Sequence, residues 1–372
     1  MLKNKHKVEV RYAESLSQVY GHIGAIVSEV SKNSESGNND KEERPLLWFR
    51  GNLNTKFNLE PSIFRGAEYH FNDDKTYSNN HLREEYRFQS FMSRNFDNVT
   101  ERMPQSMIEW QEIMQHFFTK TRLMDWSESL TVALEFALEA FITPEKNLEI
   151  EERRKTSTPA VWILRPDALN MEVYDSFWNN GGSLIKKVLD DSRNRDALVK
   201  KLQGQLKNYK NIYAQLTNKN EKNMNGLVSL SSLEYIRSAY AGRMEQALER
   251  LEINPFFYLL LRYYSDGIPV ELDALPPLAI IHPYHSQRIK MQRGVFTVFP
   301  YYIPDKVTED LKELAGTYPL SMEYMQRCIP LLYKIQITNP QKVANELIIT
   351  GAKRGSLYPD MENISKDIEN VV

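Results

Sequence analysis

Short apolar runs, each too brief for a helix, most narrow what this chain can fold into. They occur at 46–49, 160–164, 278–281, 295–299 and 331–337, and are rich in Val, Ile, Leu and aromatic residues. Runs of this length and composition read as buried strands. Between them apolar residues recur at helical spacing. Over 15–32 the set is Leu16, Val19, Tyr20, Ile23, Ile26, Val27 and Val30. Similar patterns at 81–96, 107–118, 130–141 and 340–349 predict further helices, with Ser127 or Ser129 available to cap the one that starts at Leu130. Strands separated by helices imply an α+β fold, a small mixed sheet surrounded by helices.

The spacing also suggests an organisation. Residues 1–44 read as an N-terminal helix and a linker, the stretch 33–44 being rich in Ser, Asn, Gly and charge. Residues 45–175 form the first part of the main domain and 271–372 the second. Between them, 176–270 reads as a mostly helical insertion dense in Lys, Asn, Gln and Tyr. The charged stretch 145–158 reads as a solvated loop.

Composition excludes some functions. A formal net charge of -2 gives no global field to draw the chain onto DNA or an anionic membrane. Cys328 is the only cysteine, so neither an intrachain disulfide nor a multi-cysteine zinc site is available. No apolar run is long enough to span a bilayer, and no signal-like segment follows the charged start. A soluble cytoplasmic protein, with no membrane partner, is expected.

The residues with chemical potential lie near the first apolar run. Arg50 offers a donor fork suited to phosphate or carboxylate, and Gly51 after it permits a ligand or another backbone to come close. Pairing of Arg50 with Asp125 inside the fold is the competing role. His116 suits a general base or a nucleotide contact, or a structural histidine. Arg122 and Asp125 lie three apart and face the same way if that segment is a helical turn. Trp126 suits the core or a stacking platform. Glu84 and Glu85 offer an acid or a solvated helix face. A metal-dependent nuclease built on His116, Asp125 and Glu84 or Glu85 lacks a spaced carboxylate signature, and no metal is expected. In the insertion, Lys200, Lys201, Lys207, Lys210, Lys219 and Lys222 interleave with Tyr209 and Tyr213, a pattern that suits a nucleic-acid strand or a solvated face.

Taken in order, Trp48-Phe49-Arg50-Gly51, Leu59 to Arg65, Gln115-His116, Thr121 to Trp126, Arg288 to Phe296 and Ser356 to Asp360 resemble the FRG domain, a family named for its own Phe-Arg-Gly motif. Phe117-Phe118 stands where that family more often has an aromatic residue followed by Gly. The order of an early arginine, a central polar motif, the Ala133 to Ala137 segment and a late Gly294-Val295-Phe296 strand is also similar to ADP-ribosyltransferases. That resemblance implies NAD as cofactor and a nucleotide ligand, with a protein or nucleic acid as acceptor. It implies a catalytic set of Arg50, His116, Asp125 and Gln292. Cofactor contacts would come from Arg50, Gly51, Gln115, Thr121, Arg122 and Trp126. Gln292 would take the place of a glutamate, without its charge. A part in conflict between bacteria and phage is a further expectation from the resemblance. The alternative is a non-catalytic module that binds nucleic acid or a nucleotide.

Overall fold

In-and-out alternation along the strands builds one seven-stranded sheet with both faces covered. The computed structural model describes residues 8–34, 45–55, 59, 61–63, 79–95, 104, 107–143, 148–170, 173, 277–281, 286–299, 332–358 and 361–369. The expected insertion, 176–270, with its lysines and tyrosines, lies outside the described residues. The strands are β1 Glu9–Ala13, β2 Trp48–Asn52, β3 Leu123–Ser127, β4 Ala160–Leu164, β5 Leu278–Ile280, β6 Gly294–Val298 and β7 Leu332–Ile337. Their order is β1-β7-β4-β2-β3-β6-β5, and only β1 and β7 run parallel. The described helices are α1 Leu16–Ser34, α2 Asn79–Asn95, α3 Met107–His116, α4 Leu130–Ala137, α5 Glu139–Ile142 and α6 Leu148–Thr156. After the insertion come α7 Gln287–Met291, α8 Pro340–Ile349, α9 Arg354–Leu357 and α10 Met361–Glu369. The α+β expectation holds, and none of these helices is long and apolar enough to cross a membrane.

Side-chain alternation sorts the core into two clusters. On one face Phe49, Val161, Ile163, Tyr333, Ile335 and Ile337 pack with α1, α4 and α8. On the other, Trp48, Trp162, Leu164 and Leu332 pack with Met124, Trp126, Val295 and Phe299. That explains why every residue of β4 is buried.

Three local readings change. The start of the chain contributes β1, whose partner β7 lies at the far end of the sequence, so residues 9–34 share the main sheet and core. Its short stretch Glu9-Val10-Arg11, with two charged residues in three, gave no strand signal, and the edge of β7 beside it defines it. The stretch 145–158, expected as a loop, holds α6. There the acidic residues sit in the first turn and the basic ones in the last, as the helix dipole favours. Arg154 fixes α6 to the preceding helix by donating to the carbonyls of Ala140 (2.7 Å) and Thr143 (2.8 Å). Finally, 123–127 is a strand rather than a helical turn. Arg122 and Asp125, three apart, therefore point to opposite faces.

The helix expected over 130–141 also breaks at Leu138 into α4 and α5, with Ser129 as the N-cap of α4. Helix α4 crosses β2 at Gly51 in very close contact. A Cβ on Gly51 would lie 1.8 Å from the carbonyl oxygen of Ala133 and 2.7 Å from the amide nitrogen of Ala137. Of the two uses for Gly51, close backbone approach is realised by α4, and Gly51 also borders the cleft described below.

Candidate functional site

Strands β2 and β3 are neighbours, yet their ladder consists of the single pair Phe49 and Ser127. Beyond that pair the sheet is joined by side chains. Arg50 Nη1 donates to the backbone oxygen of Asp125 at 2.5 Å and lies 3.7 Å from its carboxylate. A cleft of about 320 Å³ opens here, between α3, α4 and α7. Its polar wall is Arg50, Glu112, Gln115, His116, Asp125, Arg288 and Gln292, and its apolar wall includes Phe49, Trp126, Val132, Phe136 and Phe296. A second cleft of about 220 Å³ adjoins it, lined by Pro61, Ser62, Thr119 and Met124. Arg50, Gln115, Phe118 and Asp125 line both.

The carboxylate of Asp125 is held by a relay. Thr121 Oγ1 donates to Gln115 Oε1, which turns the amide of Gln115 so that its nitrogen donates to Asp125 Oδ1 at 2.6 Å. Thr121 is itself fully buried and tied through its amide to Ser62 Oγ at 3.1 Å. The Asp125 side chain stays 59% exposed, so the relay orients a carboxylate that still meets the cleft. Thr121 acts behind Gln115 and lines neither cleft.

Arg122 has a different task. It faces the opposite core, 1% exposed, where Nε donates to Glu84 Oε2 at 2.6 Å and Nη1 to the carbonyl of Phe299 at 2.8 Å. Gln111 donates to the other oxygen of Glu84 at 3.0 Å. Against the expectation that it contacts a cofactor, Arg122 lines neither compartment, because its guanidinium is taken up by Glu84 and the Phe299 carbonyl in the core. Glu84 is committed to the same pair and supplies no acid to the site. Among the described residues no group of three or more His, Cys, Asp or Glu is placed to hold a metal ion.

The remaining expected residues converge. Trp126 borders the cleft from a buried position, its indole N–H donating to Thr297 Oγ1 at 3.1 Å. The Gln292 amide nitrogen donates to the carbonyl of Leu357 at 2.9 Å, which leaves the amide oxygen as its acceptor. Burial and then the nearby Arg288 guanidinium hold the His116 imidazole below its ordinary pKa, which favours the neutral ring. Arg288 in turn lies over the Tyr358 ring, 4.5 Å from its centroid.

Glu112 and Arg288 are cleft residues to which the sequence reading assigned no role. For Glu112 a signal existed: it precedes Gln115 by three and His116 by four on one helix, so all three share a face. For Arg288 nothing local distinguishes it from the exposed Lys290 two residues on.

No curated protein and no solved structure matches this chain. None of the comparisons links it to ADP-ribosyltransferases. Residues 46–146, from just before β2 to just after α5, match the FRG domain family.

Proposed function

We propose that the cleft binds NAD and that the protein transfers ADP-ribose from it in the manner of an ADP-ribosyltransferase. One observation carries the reading: a guanidinium, an oriented carboxylate and an aromatic wall meet in a single cleft at the break in the sheet. Its volume of about 320 Å³ is at the lower end of the range usual for small-molecule sites, roughly 300–1,000 Å³. Arg50 and Arg288 suit phosphate oxygens, and the wall of Trp126, Phe136 and Phe296 suits a planar ring.

In this scheme the bond between ribose C1′ and the nicotinamide nitrogen breaks, and its electron pair leaves with neutral nicotinamide. The positive charge on the ribose is met by Asp125 and Glu112. A lone pair of the acceptor then forms the new bond to C1′, and the acceptor proton passes to a carboxylate or to neutral His116. The amide oxygen of Gln292 accepts a ribose hydroxyl hydrogen bond. Binding without turnover is a second reading, favoured by the uncharged Gln292 in the place of a glutamate.

The test is nicotinamide release from NAD by purified protein, with and without cell extract as acceptor. Arg50→Ala and Asp125→Ala, each shown to be folded, are expected to abolish it. Binding of NAD with no release under either condition would leave the second reading in its place. No binding of NAD at all would refute both.

A further inference from the structure

Helix α3 ends in a Schellman motif whose left-handed residue is Phe118. The amide of Thr119 donates to the carbonyl of Met114 at 2.8 Å, and the amide of Phe118 to that of Gln115 at 3.0 Å. Phe118 therefore takes φ 62°, where glycine is at ease and a side chain is strained. Its ring is also 89% exposed, so hydrophobic burial does not offset that strain. A residue costly both to the backbone and to the solvent balance, and placed on the border of two clefts, points to a ligand.

We propose that the two clefts are compartments of one dinucleotide site, with Phe118 as the ring that stacks on the ligand at their border. The proposal rests on the nucleotide reading of the larger cleft and extends it to the smaller one. Arg50 lines both compartments and so stands where the diphosphate that joins the halves must pass. Each compartment then takes one planar ring system. Pro61, Ser62 and Met124 bound the second.

The experiment is calorimetric binding of NAD, nicotinamide mononucleotide and AMP to the full chain and to Phe118→Gly, Phe118→Ala and Phe118→Trp. NAD is expected to bind the wild type at least tenfold more tightly than either half. Phe118→Gly and Phe118→Ala are expected to weaken NAD binding about tenfold, or about 1.4 kcal/mol, while Phe118→Trp retains it. Phe118→Gly relieves the strained turn, so its melting temperature is expected to equal or exceed that of the wild type, which separates loss of the ring from loss of the fold. Unchanged NAD affinity in Phe118→Gly and Phe118→Ala, or a half that binds as tightly as NAD, overturns this proposal and leaves the transferase reading standing. Absence of NAD binding by the wild type overturns both. NAD bound with these preferences but never cleaved overturns transfer alone.

Discussion

Replacing Gly51 by Ala is expected to remove much of this protein's stability. The new Cβ would sit 1.8 Å from the Ala133 carbonyl oxygen, and contacts under 3.0 Å are essentially never seen, so α4 and β2 must separate by at least about 1.2 Å. Neither atom in the way can swing aside, because both the Ala133 oxygen and the Ala137 nitrogen belong to the main chain. Overpacking usually costs about 1–3 kcal/mol where side chains can adjust. With a helix backbone as the obstacle we expect about 3 kcal/mol or more, a large share of the roughly 5–15 kcal/mol that holds a domain folded. Urea unfolding followed by circular dichroism measures it. Arg50→Ala, run in parallel, removes the bond to the Asp125 carbonyl and is expected to cost only about 1 kcal/mol. Adding Ala133→Gly to Gly51→Ala is expected to rescue nothing, since it removes no atom from the clash. An unfolding midpoint for Gly51→Ala equal to that of the wild type would refute this account of the motif's glycine.

Other consequences follow from the same geometry. Arg122→Ala is expected to cost about 3–5 kcal/mol, because it strands the Glu84 carboxylate at 0% exposure; a loss under 1 kcal/mol in chemical denaturation would contradict it. Thr121→Val is expected to weaken NAD binding several-fold with Asp125 intact, since the hydroxyl that fixes the Gln115 amide is gone; unchanged affinity in a folded variant would show the relay to be idle. Burial, then repulsion from Asp367, raises Glu135 from 4.5 to about 7, and its Oε2 has no hydrogen-bond partner among the described residues. The folded chain thus holds this proton where the unfolded chain has lost it. Stability should therefore fall as pH rises from about 4.5 to about 7 and level off above. The full shift corresponds to about 3 kcal/mol, which solvent screening reduces to about 1–2 kcal/mol. Unfolding midpoints of Glu135→Gln should be flatter across that range, and identical pH profiles for the two proteins would exclude the effect.

Much of the fold is legible locally. The runs at 160–164 and 331–337 became β4 and β7 nearly residue for residue, β4 because a strand buried on both faces needs apolar groups at every position, β7 through the apolar residues that flank its half-buried Lys334 and Gln336. The helix expected over 340–349 is α8, which Asn339 caps with Pro340 in its first turn. The misses share a cause. Strand β1 and helix α6 are segments whose structure is fixed by partners outside themselves, the edge of β7 more than 300 residues away in one case and the carbonyls of Ala140 and Thr143 just upstream in the other.

The candidate site divides in the same way. The sequence by itself determined which side chains are chemically able: an arginine fork at a strand, an amide and an imidazole side by side on a helix, a carboxylate in a motif with tryptophan. It also determined that Phe118, not Gly, follows Phe117 at the end of α3. Only the tertiary structure decided which of these groups meet. Pairing with Glu84 buried Arg122 in the core while Asp125 stayed exposed on the cleft, and α4 brought its own backbone against Gly51. Arg288 and Glu112 joined the site because β6 lies against β3 and α3 packs over their end of the sheet. Chemical capacity resides in a residue and its neighbours along the chain. Convergence depends on which strands pair and which face each presents, and those are properties of the whole sheet.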